Sequence, residues 1–318
     1  MYKPIRLIPQ RPSIRFIAKR WLFFGLSVAA TLVCIGSLFV LGLNFGIDFR
    51  GGILVEVRAP GPADLGAIRS SVGNLGLGEV ALQGFGDERD VLVRVQRQKG
   101  GEEAQQQAVA RIKEALTADL GAGVEFRRVE VVGPQVSGEL IQGGIIAVVV
   151  AIGAMMIYIW LRFEFQFGIG AVLALVHDVF LTVGLFSILQ LDFNLTVVAA
   201  LLTVLGFSMN DTVVIFDRIR ENLRKYKQMP LPDLIDLSVN ETLSRTIMTS
   251  GTTLLAMLAL YLFGGAVIQG FAIAMMWGVL VGTYSSVYIA APVLLYTGLR
   301  RGGTGPTEGA VAPPAPAG

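Results

Sequence analysis

Residues 195–216 read LTVVAALLTVLGFSMNDTVVIF, an almost wholly apolar stretch that contains a single acidic residue, Asp211. An α-helix rises about 1.5 Å per residue, so this stretch is long enough to cross the roughly 30 Å of hydrocarbon in a bilayer. A carboxylate at such a depth costs at least about 2.5 kcal/mol and is a functional candidate by default. Small and polar residues, including Asn210, surround it in residues 206–212, so we expect Asp211 to face other helices or a hydrated cavity. The alternative is a carboxylate that only holds helices together.

The composition indicates a polytopic membrane protein. Hydrophobic residues make up 53% of the 318 residues, charged residues 16%, and the mean hydropathy is +0.63, so membrane lipid must surround most of the chain. A net charge of only +2 gives no electrostatic support for nucleic-acid binding. The lone Cys34 excludes an internal disulfide and a thiolate metal cluster. The sequence contains no Walker loop and no Ser/His/Asp arrangement, so it predicts neither a cofactor nor an enzyme.

Six apolar runs have roughly the length that spans a bilayer. They are Trp21–Leu43, Leu140–Leu161, Phe165–Leu189, Leu195–Phe216, Thr246–Phe263 and Phe271–Tyr296. Basic residues precede the first run, but no small-residue cleavage site follows it, which predicts an uncleaved signal-anchor rather than a signal peptide. Gly278 and Gly282 form a G-x-x-x-G pair in the last run and are expected to allow ordinary close helix packing.

The basic residues predict the orientation of these spans. Lys and Arg are frequent in segment 1–20 and in loop 217–244, and Arg300 and Arg301 follow the sixth span. The short loops 190–194 and 264–269 contain neither Lys nor Arg. The positive-inside rule therefore places both termini and loop 217–244 in the cytoplasm. The tail 301–318 is rich in Gly, Pro and Ala and is predicted to be disordered.

Residues 44–138 form the only long soluble segment, and the same rule places them on the outer side of the membrane. Alternating and amphipathic patterns predict the order β-α-β-β-α-β, which is that of a ferredoxin-like sandwich. No catalytic cluster accompanies this α+β extracytoplasmic domain, so we expect a mechanical or binding role. The predicted fold is thus an α-helical membrane protein with six transmembrane helices, residues 21–43 and 139–300, and one ferredoxin-like domain.

Three further polar residues fall within or beside the spans. His177 and Asp178 lie near the middle of the third span, where they could relay protons, bind a metal, or simply hydrogen-bond neighbouring helices. Asp178 and Thr182 have the i,i+4 spacing of such an interhelical face. Arg245 begins the fifth span, where it could extend toward the headgroups or attract Asp211 in one conformation and release it in another. The sequence leaves these alternatives open.

Several motifs together resemble one family over nearly the whole chain. They are residues 44–52 (NFGIDFRGG), residues 132–138 (VGPQVSG), His177-Asp178, residues 206–222 (GFSMNDTVVIFDRIREN) and residues 244–246 (SRT). In this order and topology they closely resemble the SecF side of the SecD/SecF family of bacterial protein-export membrane proteins.

The resemblance implies a location in the bacterial cytoplasmic (inner) membrane and a partner, SecD. The two would form a twelve-span complex of the resistance-nodulation-division type, which uses the proton-motive force beside the SecYEG channel after the SecA ATPase has pushed an unfolded precursor protein. The family's proton-path Asp corresponds to Asp211 and its essential Arg to Arg245. The large outer domain and the intramembrane Asp of SecD have no counterpart here.

Other functional classes make different predictions. An intramembrane aspartyl protease would use two carboxylates, such as Asp178 and Asp211, but the typical Tyr-Asp and Gly-x-Gly-Asp contexts are absent. A small-molecule efflux pump of the same superfamily would have twelve spans and two large outer domains. A structural assembly subunit without its own proton coupling would tolerate neutralisation of Asp211.

Overall fold

The computed structural model describes residues 13–84, 87–121 and 123–299. In chain order the elements are α1 (Arg20–Val40), β1 (Asn44–Phe45), α2 (Ile47–Arg50), β2 (Gly52–Arg58), α3 (Leu65–Gly73), β3 (Val80–Gly84), β4 (Asp90–Val95), α4 (Gly101–Leu120), β5 (Glu125–Val132), α5 (Pro134–Arg162), α6 (Phe165–Ile188), β6 (Asp192–Phe193), α7 (Leu195–Lys225), α8 (Leu231–Phe263), α9 (Ala266–Ser285) and α10 (Ala291–Val293). The predicted tail 301–318 and residues 1–12 of the predicted N-terminal segment lie outside the described residues.

Six helices in the described part of the chain are long and apolar enough to cross a membrane, namely α1, α5, α6, α7, α8 and α9. The prediction of six spans is confirmed. The spans differ in the burial of their most apolar 18 residues. Of these residues, 56%, 56% and 61% are buried in the spans of α6, α7 and α9, against 11%, 6% and 11% in those of α1, α5 and α8. The first three helices therefore form the centre of the bundle, and the other three leave most of their apolar surface for lipid or partner helices.

Several helices are longer than the apolar runs that predicted them. The helix α5 begins at Pro134 rather than Leu140, and α8 begins at Leu231 rather than Thr246. Proline is tolerated in the first helical turn because its missing N–H would be unpaired there, so Pro134 and Pro232 start these helices instead of breaking them. Most of the predicted loop 217–244 is consequently helical, and Tyr226–Pro230 alone connects α7 to α8.

The last span changes its helical geometry near its end. The helix α9 passes into a π-helical turn, Ser286–Ala290, before α10. Pro292 in α10 cannot donate the backbone hydrogen bond that would continue an α-helix, which accounts for the local change in hydrogen bonding. At Gly278 and Gly282 the helix approaches α7 closely, because an added methyl group would lie 2.3 Å from Val204 Cγ2 and 2.9 Å from Ser208 Cβ, respectively.

The soluble segment contains one four-stranded antiparallel sheet with the strand order β3-β4-β2-β5. Its elements follow one another as β2-α3-β3-β4-α4-β5, the predicted order. One face of the sheet packs on α3 and α4, where alternate residues such as Val55 and Val93 meet Ile68 and Ile112. The opposite face is turned toward the ends of the membrane helices and bounds a polar cleft with them.

Candidate functional site in the membrane helices

Asp211 is buried between α7 and α8. Asp211 is 5% exposed. Thr246 Oγ1 on α8 donates a hydrogen bond of 2.6 Å to its Oδ1. Its second oxygen, Oδ2, has no hydrogen-bond partner among the described residues. A carboxylate with one free, buried oxygen can accept a proton on that oxygen without breaking an existing hydrogen bond.

Arg245 forms no ion pair with Asp211 in this structure. It is exposed on α8, and its backbone carbonyl accepts a hydrogen bond from Thr249. Successive residues on a helix point about 100° apart, so when Thr246 faces α7 its neighbour Arg245 points elsewhere. The residue that touches the buried carboxylate is therefore Thr246, which the sequence reasoning did not select.

The threonines beyond Thr246 form hydrogen bonds within α8. Thr249, Thr252 and Thr253 donate to backbone carbonyls of their own helix. Further along α8, Ser250 reaches across to Thr283 of α9, with 2.7 Å between their hydroxyl oxygens. Most of the hydroxyl groups of α8 beyond Thr246 are thus hydrogen-bonded within their own helix.

Asp178 lies at the meeting point of α6, α7 and α9 and is 0% exposed. Its Oδ2 accepts hydrogen bonds from Ser208 Oγ at 2.5 Å and Ser285 Oγ at 2.9 Å, and its Oδ1 lies 3.2 Å from His177 Nδ1. Thr182, which has the i,i+4 spacing that predicted an interhelical face, donates its hydroxyl group to the backbone carbonyl of Asp178 within α6. The side chain of Asp178 therefore joins three helices through serines, and its two oxygens are both in contact with polar groups.

His177 packs on α9 and borders a cavity lined by residues of α1. Its ring stacks on Tyr284 with 6.1 Å between centroids, and its Nε2 has no hydrogen-bond partner among the described residues. It borders an apolar cavity of about 510 Å³ that also contacts Cys34 and Trp277. No group of three or more metal-ligating side chains occurs in the part of the chain that the structure describes.

A further pair of hydroxyl groups connects α7 to the π-helical turn that follows α9. Thr212 of α7 and Ser286 have their hydroxyl oxygens 2.8 Å apart, and Ser208 lies on the same helix as Asp211. No described hydrogen bond joins Asp178 directly to Asp211. The signal that could have identified these residues is the run of hydroxyl-bearing residues at positions 283–286 (TYSS), at the end of a mostly apolar helix.

Asn210 lies outside this buried set. It is exposed on α7, together with Thr203 and Gly206, although its neighbour Asp211 is buried. Residues spaced by three and four share one face of a helix, so these three form one exposed stripe of small and polar residues, which we call the Asn210 stripe. Small and polar residues on a membrane helix are typical of contacts with other helices.

Comparison with known proteins identifies two matching family models. One, described as protein export membrane protein SecD/SecF, C-terminal, matches residues 112–300, and the other, described as the SecD/SecF GG motif, matches residues 36–59. The chain is 47% identical to the protein translocase subunit SecF of Rhodobacter capsulatus, covering 93% of this chain and 92% of the relative. It is also 47% identical to that of Rickettsia bellii, covering 92% and 95%.

Solved structures give a consistent result. The crystal structure of SecDF, a translocon-associated membrane protein from Thermus thermophilus, matches 92% of this chain with a TM-score of 0.82 and 33% identity. SecDF in a super-membrane-facing form matches 93% with a TM-score of 0.67 and 32% identity. This chain spans only 39% and 40% of those longer chains. With its six long apolar helices it is a multi-pass membrane protein, and it belongs to the SecD/SecF family of protein export membrane proteins.

Proposed function

We propose that this chain is the proton-carrying subunit of a complex that assists protein export, and that Asp211 is the group that takes up and releases the proton. The observation that carries the proposal is the geometry of its carboxylate. It is buried in a membrane helix, one oxygen accepts from Thr246, and the other has no described partner. As a subunit of a transport complex the chain is not an enzyme.

Arg245 supplies a permanent positive charge one residue before Thr246. When Asp211 is ionised, the guanidinium is attracted toward it; when Asp211 is protonated, that attraction disappears and α7 and α8 rearrange. One elementary charge moving through 100 mV is worth about 2.3 kcal/mol, which biases two conformations of similar energy by a factor of about 50. The proton-motive force is therefore sufficient to drive such a rearrangement.

The proposed partner is SecD, bound through the Asn210 stripe. Those small and polar side chains are exposed on a helix that is otherwise central in the bundle, a pattern that supports contact with another membrane protein. The matched SecDF chains are more than twice as long as the part that this chain covers. The complex would act in the bacterial inner membrane beside SecYEG and SecA on an unfolded precursor.

The strand order and antiparallel pairing of the soluble segment support a ferredoxin-like sandwich. The positive-inside rule puts this domain outside the membrane and both termini in the cytoplasm. There it would contact the emerging precursor or the outer domain of SecD. Photo-crosslinkers placed between Gly52 and Val132 should capture one of these during active export, and capture of neither would contradict this placement.

The proposal is tested by Asp211→Asn. Asparagine keeps the volume and can accept from Thr246 but cannot titrate, so the complex should assemble while the stimulation of precursor export by a proton gradient is lost. Inverted membrane vesicles with and without a gradient provide the measurement. The matched control is Asp217→Asn on the same helix, where the carboxylate is 46% exposed and pairs with Arg162; it should keep native stimulation. Native stimulation in Asp211→Asn would favour a structural assembly subunit.

A further inference from the structure

The outer end of α7 is bonded to the segment that leads into the soluble domain. The backbone N–H of Leu195, in the first turn of α7, donates a 2.8 Å hydrogen bond to Asp48 Oδ2 in α2. The N–H of Gly46 donates to the carbonyl of Phe193 at 2.8 Å, and β1 pairs with β6 in parallel. A carboxylate at the start of a helix satisfies a free N–H and interacts favourably with the helix dipole, so Asp48 holds this end of α7 firmly.

A second connection crosses the polar cleft between the sheet and the membrane helices. Arg94 of β4 forms an ion pair with Asp192, which also accepts a 2.9 Å hydrogen bond from Asn44 Nδ2. The side chains of Arg94 and Asp192 are only 17% and 24% exposed, and the cleft around them has a volume of about 180 Å³. Partial burial reduces solvent screening, so this pair holds the two parts together more strongly than an exposed pair would.

The backbone at Gly51 and Gly52, between α2 and β2, is closely packed. Gly51 and Gly52 have φ angles of +70° and +133°, and a methyl group at Gly52 would lie 2.6 Å from the carbonyl oxygen of Val95. Glycine is therefore required at this position. The two glycines join α2 directly to β2, a central strand of the sheet.

The helix α7 connects the same contacts to the buried carboxylate. It runs without interruption from Leu195 to Lys225, and 16 residues of rise place Asp211 about 24 Å from Leu195. A continuous helix transmits an axial shift or a tilt over this length because its backbone hydrogen bonds resist local stretching.

We infer that Asp48 and the Arg94–Asp192 ion pair couple α7 to the soluble domain, so that a movement of α7 at Asp211 displaces the central strand β2 and the sheet around it. The inference rests on the proposed function, because it takes protonation of Asp211 as the origin of that movement. Asp48, Arg94 and Asp192 act through α7 and are positioning residues. The connection stays closed throughout the cycle, and the domain follows α7 as one body.

Charge reversal tests the ion pair in vesicles that contain the full chain and its membrane partner. Arg94→Asp and Asp192→Arg should each reduce gradient-stimulated export by at least about fivefold, the lower end of typical coupling energies, while gradient-independent export is unchanged. The double variant should recover at least half of the native stimulation, since only the Asn44 hydrogen bond stays lost. Arg128→Asp is the control: Arg128 lines the same cleft but pairs with Glu130 on its own strand.

Native stimulation in both single variants, or no recovery in the double variant, would overturn the inference. So would an equal loss in Arg128→Asp, because the effect would then follow from the charge of the cleft alone. Asp211→Asn is measured in parallel. If Asp211→Asn keeps native stimulation, the proposed function fails. Recovery of stimulation in the double charge reversal depends only on the ion pair, so it still tests the connection separately.

A crosslinking measurement gives a readout independent of proton transport. In a Cys34→Ala background, Arg94→Cys with Asp192→Cys is treated with a short, reducible bis-methanethiosulfonate. We expect high crosslinking yield with or without a proton gradient. The crosslinked complexes should show more gradient-stimulated export than the same sample after reduction, because the reduced variant has neither the crosslink nor the ion pair. A yield that falls when the gradient is applied, or export that returns only after reduction, would mean that the connection opens during the cycle and would overturn the inference.

Discussion

Asp178 should contribute to stability rather than to proton transport, and replacing it by alanine or asparagine tests this. Alanine removes the acceptor of the Ser208 and Ser285 hydroxyl groups at a residue that is 0% exposed. Hydrogen bonds between membrane helices contribute about 0.6 kcal/mol on average and at most about 1.7 kcal/mol. Two such bonds sum to about 1 to 3 kcal/mol, which is the expected loss in the free energy of unfolding for Asp178→Ala.

Asp178→Asn should cost less than about 1 kcal/mol. Its carbonyl oxygen can still accept from both serines, and its amide group can donate to His177 Nδ1, which lies 3.2 Å from the present Oδ1. We therefore expect native gradient-stimulated export in Asp178→Asn. This outcome separates Asp178 from Asp211, where the same chemical change should abolish stimulation.

Reversible unfolding in mixed detergent micelles, followed by tryptophan fluorescence, measures both effects. Asp217→Ala is the control, because its exposed ion pair with Arg162 should contribute no more than about 1 kcal/mol. Two results would refute the reasoning about Asp178. One is native stability in Asp178→Ala; the other is loss of gradient-stimulated export in a normally stable Asp178→Asn, which would make Asp178 a proton carrier.

Three other substitutions test separate parts of the structure. Arg245→Lys should retain partial gradient-stimulated export, and Arg245→Gln should lose it. The infrared signal of the proposed proton carrier should shift to higher pH only in the Gln variant. An unchanged titration there would favour a role of Arg245 as an anchor at the headgroups. Gly278→Ala should lower the free energy of unfolding by about 1 to 3 kcal/mol, because the added methyl group overlaps Val204, and native stability would contradict the close packing of α7 on α9. The guanidinium of Arg58 holds the pKa of Asp90 below its ordinary value. The contribution of this pair to stability is therefore present above about pH 4 and is lost as the pH falls through the lowered pKa. Hydrogen exchange in β2 and β4 of the full chain should rise in that range in the native protein but not in Asp90→Asn.

The sequence by itself determined the number of membrane helices and the order of elements in the soluble segment. These properties depend on local patterns: the length of an apolar run must match the hydrocarbon layer, and the period of apolar residues distinguishes strands from helices. The exact helix ends were less well determined. The early start of α8 at Leu231 follows from polar turns that pack on the N-terminal segment, where Asn240 bonds the backbone of Ile14 and Asp236 that of Ile17.

Only the tertiary structure decided which polar groups meet. The sequence placed Asp211, Arg245, His177 and Asp178 within or beside the spans, but it did not indicate that Thr246 would contact Asp211. A rotation of about 100° per residue separates neighbours on a helix, so a small difference in how α8 packs on α7 determines whether residue 245 or residue 246 faces the carboxylate. That rotation is fixed by the shapes of all the helices packed together, and no local pattern in the chain contains it.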